Sequence, residues 1–584
     1  MPQDAFTLKF LCEELNNVFA NGKINKIVQP DNDKVVFTIW NGKKTEKLLL
    51  DVNPANPRIS IIEENMDSPL TAPNFCMLLR KHLLSATIKE ISLVGFDRVV
   101  KIEMLSSSEF FDAGEKTLFI ELMGRYSNII LTQNGKVLGG NRGINFFDNG
   151  VRPLILGLDY VYPPVGEKKV PTDQGLIENF NKLNINFSNP TKEDIVVFAK
   201  YLCENVQGLA MSTAEEIVLD FFIKNKVSNS LQQNYGQLIF NHLGEFIKNV
   251  KKKPCVFFDE KGIKDVCVYP YSRINGDKKF FETLYLAEEF YFSEKLKNKR
   301  FNEKKERLKN SLISLEKKLK KRLVAINARI KDSLDAEQNK IKGELILANI
   351  YKIKKGDVLL VAENYYNGTK ESITIDNNIS PSANAERYYK KYNKQKRSLL
   401  ALQPQKEQAE KELEYILSIQ SELSIADDIE DVKAIQGEMT IMGLINKTNN
   451  KEKAKNKKKQ EKIGCRIYEV DGFVIKVGRN NVENDKVTFS ARPEDIWLHA
   501  KSEHSSHVII EVLNNTPSEK IIAIAAEICA FYSKGREGGK TEIVYTKKKF
   551  VKKPSGAKPG FCVYSEFKSA LFLPLKHLEF LKKE

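Results

Sequence analysis

The sequence predicts a multidomain α+β protein with a long charged helical arm between two mixed domains. A chain of 584 residues exceeds what one hydrophobic core supports, so about three or four domains are expected. Leucine and isoleucine recur at three- and four-residue spacing from Leu308 to Leu334, which is the pattern of a coiled-coil seam. Strand-like runs separated by turn residues flank that seam on both sides.

Residues 1–175 predict a mixed α/β domain. Helical spacing of apolar residues marks residues 6–19 and a second helix that begins at about Asn74. Strands are expected at residues 34–40, 47–52, 88–94, 99–104, 117–123 and 128–132. The dipeptides Asn41-Gly42 and Asn134-Gly135 are strong hairpin-turn signals.

Residues 176–285 predict a module of short helices, with Gln207-Gly208-Leu209 between two of them. Gly208 has two explanations that the sequence leaves equally open. The glycine lets the backbone approach a phosphate, or it simply ends a helix as a C-cap.

Residues 286–445 predict an antiparallel coiled-coil arm with a small middle domain at about residues 348–383. A second charged helical stretch, residues 385–423, supplies the returning helix of the arm. Pro404 lies inside that stretch and should kink or interrupt the helix.

Residues 446–463 form a lysine-rich, low-complexity segment that predicts a disordered linker, and residues 464–584 predict a final compact α/β domain. Strands are expected there at residues 473–477, 486–490, 496–500, 508–512 and 541–546. Thr516-Pro-Ser-Glu519 has the pattern of a capping box that begins a helix.

Composition limits the class of protein. The net charge of +16 and the pI near 9.1 favour a polyanionic partner, although a lysine-rich solvated surface explains them about equally well. The eight cysteines form no Cys-x-x-Cys pair, which argues against a disulfide framework and a thiolate zinc site. The sequence shows neither a bilayer-spanning apolar run nor a secretory signal at its start, so we expect a cytoplasmic protein without a membrane partner.

The most unusual segment is Asp495-Ile-Trp-Leu-His-Ala-Lys501, followed by Ser506-His507-Val508. It holds one of two tryptophans and, with His504, three of the six histidines, among apolar strand residues. A metal site is disfavoured because no cysteine and no recognised ligand spacing accompany His499, His504 and His507. We expect Trp497 to pack or stack and His499 and His507 to donate hydrogen bonds to phosphate or ribose, with buried, satisfied histidines as the alternative.

Two further groups of the C-terminal domain are candidate contacts for an anion. The polar turn with Arg479, Asn480 and Asn481 can offer backbone N–H groups and a guanidinium. Lys552, Lys553 and Lys558 belong to a lysine-dense loop that can neutralise several phosphates, or can simply protect a strand edge.

In the first domain, Asp97 and Arg98 interrupt two strands, and Glu121 and Arg125 follow on the next pair. These residues form a structural ion pair, or they meet a phosphate and a base; spacing alone favours the structural explanation. Pro2 would become a secondary amine if Met1 were removed, and such an amine can attack a sugar aldehyde as in DNA lyases. However, Gln3 follows where a catalytic acid would help.

Taken in order, these motifs resemble the NFACT family over essentially the whole chain. The resemblance is carried by Asn74–Lys81, Phe96-Asp-Arg98, Glu121–Asn128, Tyr160–Pro164, Gln207-Gly-Leu209, Asn384-Ala385 with Tyr392-Asn-Lys394, Val477–Asn481, Asp495–Lys501, Ser506-His-Val508, and Lys552–Pro554 through Gly560. Two positions depart from the family pattern, Asp4-Ala5 and His504-Ser505, and the second could alter the loop beside His507.

The resemblance implies an NFACT-N domain, a helix-hairpin-helix module, the arm with its middle domain and an NFACT-R RNA-binding domain. It implies a factor that binds the large ribosomal subunit obstructed by peptidyl-tRNA and recruits tRNA, alanyl-tRNA in bacteria, for mRNA-independent tailing of the stalled chain. No cofactor and no enzymatic step are implied, because the ribosome forms the peptide bonds. By resemblance, tRNA is selected by Asp97 and Arg98 with Glu121, Ile129 and Ile130 nearby, while Asp495, Trp497 and His499 are the RNA-binding signature. A fibronectin-binding surface adhesin and a DNA glycosylase or lyase using Pro2 are the alternatives.

Overall fold

A computed structural model describes residues 3–66, 68–106, 114–142, 152, 154–185, 187, 189–225, 235–259, 262–446, 464–513 and 515–575. The chain forms two compact units, residues 1–296 and 297–584. Pro2 and nearly all of the expected linker, residues 447–463, lie outside the described residues. A search of the described residues found no helix that is both long enough and apolar enough to cross a membrane.

The first unit is built on a nine-stranded sheet with the order β4-β3-β2-β1-β5-β6-β7-β8-β9. All neighbouring strands are antiparallel. The strands are β1 Lys23–Asp31, β2 Lys34–Trp40, β3 Thr45–Asp51, β4 Arg58–Ile61, β5 Thr87–Leu93, β6 Val99–Ser106, β7 Gly114–Glu121, β8 Asn128–Gln133 and β9 Lys136–Gly140.

Helices α1 (Ala5–Phe19) and α2 (Asn74–Leu83) contribute to the core of this sheet. The carboxylate of Asp4 begins α1 by accepting a hydrogen bond from the Thr7 backbone at 2.9 Å. The apolar stripe that predicted this helix is completely buried, which confirms its orientation; it consists of Leu8, Leu11, Leu15 and Phe19.

Among its described residues, the rest of the first unit contains helices α3 to α6 and a small three-stranded sheet with the order β11-β10-β12. These elements are α3 Leu176–Asn181, α4 Lys192–Asn205, α5 Met211–Lys224, α6 Tyr235–Asn249, β10 Cys255–Asp259, β11 Gly262–Cys267 and β12 Asp277–Phe280. Helix α7, Leu284–Leu334, begins in this unit and continues into the second.

The second unit contains the predicted antiparallel arm, formed by α7 and α9 (Pro381–Ile425). Gln420 donates a hydrogen bond to Glu316 at 2.8 Å, and Arg322 lies 3.7 Å from Glu412, so residue numbers rise along one helix as they fall along the other. Of the kink or interruption expected at Pro404, the interruption is wrong, because α9 continues through it. One lost backbone hydrogen bond is a small cost to a helix of 45 residues that is held by its partner.

The small middle domain lies between the two arm helices, as the sequence predicted. It consists of α8 Ala336–Ala348, β13 Leu359–Asn364 and β14 Thr369–Thr374, and it shares a small apolar core with the start of α9. Helix α10, Ile429–Ile441, follows α9 and packs against the base of the arm.

The C-terminal domain is a six-stranded sheet with the order β15-β16-β18-β17-β19-β22. Its strands are β15 Arg466–Val470, β16 Phe473–Val477, β17 Ile496–Ala500, β18 Val508–Ile510, β19 Thr541–Lys547 and β22 Lys568–Phe572. A short hairpin of β20 (Val551–Lys552) and β21 (Val563–Tyr564) forms a separate two-stranded pair.

Two predictions for this domain are wrong. The expected strand at residues 486–490 belongs to helix α11, Asn481–Ser490, because Asn480 caps the helix by accepting from the Glu483 backbone at 2.8 Å. The expected capping box at Thr516 does not form; helix α12 begins later, at Glu519, and ends at Phe531.

Candidate nucleic-acid interface

The Asp97–Arg98 loop joins β5 to β6 and is fixed by contacts within the first unit. One carboxylate oxygen of Asp97 accepts from the Arg98 backbone at 2.7 Å, and the other accepts from Gln207 Nε2 at 3.0 Å. The Arg98 carbonyl accepts from the Leu122 backbone at 2.9 Å. The loop is therefore held from two sides, by the helical module and by the end of β7.

Gly208 has a third explanation that the sequence did not suggest. Its φ of +76° favours glycine, and a Cβ atom there would collide with the Phe96 carbonyl and the Ala5 side chain. Its own carbonyl accepts from the Ala5 backbone at 2.9 Å. The close approach that requires glycine is thus made by the protein's own backbone, beside the Asp97 loop.

Glu121 is 2% exposed and is held inside the first unit rather than at its surface. Arg152 donates to both of its carboxylate oxygens, at 3.0 and 2.6 Å, and the Tyr160 hydroxyl donates at 2.7 Å. Burial and the adjacent carboxylate raise the pKa of Tyr160. The direct RNA contact expected of Glu121 is corrected to a supporting role, because Glu121 is itself buried and both of its oxygens already accept from Arg152 or Tyr160.

Ile129 and Ile130 need the same correction. Both are completely buried on β8, in two different apolar clusters, so neither side chain has surface to offer to tRNA.

Arg125 is exposed and lies over the Tyr126 ring at 4.7 Å, and Tyr126 is 68% exposed. Because Val99 pairs with Glu121 across β6 and β7, the turn that follows Glu121 lies at the same end of the sheet as the Asp97 loop. This end of the sheet therefore presents an arginine on an aromatic ring beside Asp97 and Arg98.

In the second unit, Arg479 is held by acids of helix α10. Its guanidinium contacts Asp431 at 2.5 Å and Asp428 at 3.3 Å, and Arg466 reaches Asp431 at 2.6 Å. Asp431 is 1% exposed and lies between the two guanidinium groups. The anion contact predicted for Arg479 is therefore corrected, since its charge is already neutralised within the protein.

Asn480 and Asn481 are likewise buried, 4% and 6% exposed, and connect the C-terminal domain to the base of the arm. Asn480 Nδ2 donates to the Ala434 carbonyl at 2.6 Å, while Asn481 Nδ2 reaches both Glu438 and Glu422, at 3.1 and 3.2 Å. Burial raises the pKa of both carboxyl groups. These asparagines are structural joints, not surface contacts.

Asp495 and Trp497 are structural as well. Asp495 is 2% exposed, and its carboxylate accepts from the Arg492 backbone at 2.7 Å and from the Val512 backbone at 2.8 Å. Trp497 is completely buried and packs with Val487 of α11 and Val551 of β20. Its indole N–H has no hydrogen-bond partner among the described residues.

The two histidines of the motif surround Trp497 and differ in exposure. His507 is 1% exposed and shares a 2.8 Å hydrogen bond with Thr488, so the structural alternative holds for it. His499 is only partly buried and stacks on Trp497 at 5.6 Å. Burial lowers the pKa of His499 to about 4 and that of His507 well below its ordinary value, so both imidazoles are neutral at pH 7.

The predicted lysines remain at or near the surface. Lys501 pairs with Glu542 at 2.8 Å, Lys552 is exposed, Lys553 pairs with Asp485, and Lys558 lies over the Tyr415 ring at 5.6 Å. Exposed ion pairs exchange partners at little cost, so these amines can still meet phosphate.

Sequence reasoning missed three aromatic residues beside these charges, Tyr126, Tyr564 and Phe567. Tyr126 directly follows Arg125 in a turn, which was an available signal. Phe567 precedes a strand and has no distinguishing spacing, so its 43% exposure could be found only in the folded chain.

Comparison with protein-family models finds two matches. Residues 4–460 match the NFACT N-terminal and middle domains, and residues 465–561 match the NFACT protein RNA binding domain.

Curated relatives match along nearly the whole chain. The chain is 30% identical to the Rqc2 homolog RqcH of Bacillus subtilis, over 97% of this chain and 96% of that protein. It is 29% identical to the Rqc2 homolog RqcH of Streptococcus pneumoniae strain D39, over 98% of each. A solved structure of the N-terminal part of a fibronectin/fibrinogen-binding protein from Streptococcus suis is 25% identical with a TM-score of 0.40, covering 50% of this chain and 99% of that one.

Proposed function

The chain belongs to the NFACT family, and from that membership we propose that it acts in the cytoplasm in ribosome-associated quality control. Its similarity to relatives named Rqc2 homolog RqcH supports a role as a ribosome quality-control factor. We further propose that the chain binds the large ribosomal subunit obstructed by peptidyl-tRNA. There it recruits alanyl-tRNA, so that the stalled chain receives a C-terminal tail that marks it for degradation.

The lysine cluster of the C-terminal domain is the observation that carries the RNA-binding part. Eight lysines and two glutamates lie between Lys540 and Lys568, which gives this stretch a net charge of 8 − 2 = +6. Most of this stretch lies within the match to the RNA-binding domain. Clustered lysines on one domain bind nucleic-acid backbones by releasing counterions, so binding should weaken steeply with salt.

For tRNA we propose the surface at one end of the large sheet, formed by Asp97, Arg98, Arg125 and Tyr126. An oriented carboxylate can accept from a base amino group, because it has capacity for about four hydrogen bonds and two are used here. Arg125 on the Tyr126 ring combines a phosphate-binding charge with an exposed aromatic face. Glu121, Ile129 and Ile130 support this surface from the interior.

In this proposal the chain performs no covalent step. The ribosome forms the peptide bonds, and the protein contributes binding energy and orientation, for which it requires no cofactor.

The test is the double variant Asp97→Ala with Arg98→Ala, isolated from cells with its bound RNA. We expect tRNA to be lost from the purified complex while large-subunit RNA is retained. Asp31→Ala with Lys34→Ala is the matched control, because it removes a 2.5 Å acid–base pair elsewhere in the same unit and should leave both RNAs bound. Equal tRNA recovery from the double variant and the wild type would refute the assignment of this surface.

The two alternatives remain separate predictions with separate tests. Binding of the purified chain to immobilised fibronectin would support the adhesin. Trapping of the chain on abasic DNA by borohydride would support a lyase; Pro2 itself lies outside the described residues.

A further inference from the structure

A chain of five ring contacts runs from the buried interior of the C-terminal domain to its surface. The Trp497 ring is 5.4 Å from His507, 5.6 Å from His499 and 5.3 Å from Tyr564, and Tyr564 is 5.2 Å from Phe567. His499 and His507 also meet edge to face, at 5.3 Å. The five rings thus form one connected aromatic cluster.

Exposure increases along this cluster. Trp497 and His507 have almost no exposed surface, His499 and Tyr564 are partly buried, and Phe567 is 43% exposed. A large apolar ring at a surface is not by itself unusual. Here, however, the exposed ring is anchored from below by Tyr564, which packs on the domain's completely buried tryptophan.

The turn that presents Phe567 is fixed in position. The Thr546 hydroxyl contacts the carbonyls of Ser565 and Glu566, at 3.3 and 2.9 Å, and the Ser565 backbone donates to the Phe550 carbonyl at 3.2 Å. Glu566 has a φ of +47°, a left-handed conformation that costs free energy for a residue with a side chain. A ring held this way loses little conformational entropy when a flat ligand stacks on it.

Positive charge surrounds the exposed end. Lys568 follows Phe567 directly, and Lys552 pairs with Val563 across the β20–β21 hairpin, one residue from Tyr564. Lys501 directly follows β17, and its backbone N–H donates to the Glu542 carbonyl of the neighbouring strand β19 at 3.0 Å. These lysines belong to, or lie near, the stretch with a net charge of +6.

We propose that Tyr564 and Phe567 form a stacking platform for an unpaired base of the bound RNA. The proposal rests on the RNA-binding function proposed above and specifies what the C-terminal domain recognises there: single-stranded segments or flipped bases. A duplex would satisfy the lysines equally well, but away from its ends it has no free base face, because its bases are already stacked on one another. Base–aromatic stacking over a basic surface is the arrangement by which proteins hold single-stranded nucleic acid.

The charge complementarity favours RNA over a peptide added to β22, the strand at the edge of the sheet. An extended peptide would need main-chain hydrogen bonds along that edge and would have no use for the lysines. The two occupants differ in what Phe567 does for them, and this difference can be measured.

The experiment uses the full-length protein and two fluorescent probes of equal charge, an unstructured 23-nucleotide RNA and an end-capped 12-base-pair RNA duplex, at fixed salt. We expect Phe567→Ala to weaken single-strand binding by roughly 5- to 100-fold and to change duplex binding by less than about twofold. Phe567→Leu should behave like Phe567→Ala, whereas Phe567→Trp should bind single strands as the wild type does. Phe280→Ala, which removes a phenylalanine of similar exposure (47%) from the first unit, is the matched control and should change neither.

Each result has a defined meaning. Wild-type binding of both probes with unchanged single-strand affinity in Phe567→Ala, or full affinity in Phe567→Leu, would overturn the stacking platform while leaving the proposed function intact. Failure of the wild type to bind any RNA in low salt would instead refute the RNA-binding function itself.

A crosslinking measurement tests the platform without any variant. In the unmodified protein, a single-stranded probe with 4-thiouridine should crosslink under ultraviolet light to the peptide that contains Tyr564 and Phe567. Crosslinks confined to other peptides would contradict the proposal even if Phe567→Ala failed to fold.

Discussion

The two ends of the aromatic cluster in the C-terminal domain differ in burial and in their surroundings. Trp497 is buried under α11 and the β20–β21 hairpin, within the most recognisable motif of the chain. Phe567 is exposed on a fixed turn among lysines and belongs to no motif. The most conspicuous residues of the sequence therefore build the buried support, and inconspicuous ones form the exposed surface.

The same division holds around Asp431 and in the first unit. Arg479, Asn480 and Asn481 make buried polar contacts with α10 and the base of the arm. Glu121 likewise accepts hydrogen bonds from Arg152 and Tyr160. Burying a charge is costly unless it is paired, so each of these residues needs its particular partner inside the protein. A lysine or phenylalanine on a surface is constrained much less.

The largest effect should come from replacing the buried end of the cluster. Trp497→Ala should lower the free energy of unfolding of the second unit by about 3–5 kcal/mol, because it leaves a large cavity in a packed interior. Phe567→Ala should change it by less than about 1 kcal/mol, since the ring is half exposed. Urea unfolding monitored by hydrogen exchange measures the free energy of unfolding of both variants. Equal losses in the two variants would contradict the proposed difference between the buried and the exposed end.

Replacing lysines of the C-terminal domain should have a smaller effect, and it should lower the affinity for RNA and not the stability. The triple variant Lys552→Ala, Lys553→Ala, Lys558→Ala should weaken single-stranded RNA binding by about 10- to 50-fold near physiological salt and lower the salt slope by about 2, because three phosphate contacts are lost. Lys317, Lys318 and Lys321, three exposed lysines of the arm, give a control triple variant with the same change in net charge. An equal loss in both triple variants would show that only net charge matters.

The third effect, which is absent at neutral pH, should be a pH dependence at the boundary between the two ends of the cluster. The pKa of His499 is about 4 in the folded chain and 6.5 without the fold, so only the unfolded state takes up this proton between those values. Stability should therefore fall as pH drops from 6.5 towards 4. His499→Phe keeps a ring beside Trp497 and should reduce that slope; parallel curves for variant and wild type would show that His499 does not contribute.

Local patterns were sufficient to predict much of the fold. The stripe from Leu8 to Phe19, the Asn41-Gly42 turn and the leucine seam of the arm each depend on neighbours in sequence. All three are confirmed, except that Leu334, the last residue of the predicted seam, is 66% exposed. Asn480 and Glu483 carry the capping signal of α11, but the residues from Lys486 to Ser490 alternate in polarity, and that pattern favours a strand.

The candidate site was less predictable, because its decisive contacts are distant in sequence. Gly208 meets Phe96, Glu121 meets Arg152, and Arg479 meets Asp431, across 112, 31 and 48 residues respectively. No spacing rule encodes such pairs. The exposure of Phe567 depends on a turn held by Thr546, which is likewise invisible to local patterns.

The central claim is that this chain binds the RNA of the large ribosomal subunit together with tRNA. It is tested most directly by sequencing the RNA that co-purifies with the tagged full-length protein from cells, after separation of ribosomal subunits on a gradient. The account predicts co-sedimentation with large subunits and enrichment of large-subunit RNA and tRNA, with small-subunit RNA depleted. A protein that sediments apart from ribosomal particles and carries no tRNA even in low salt would contradict it.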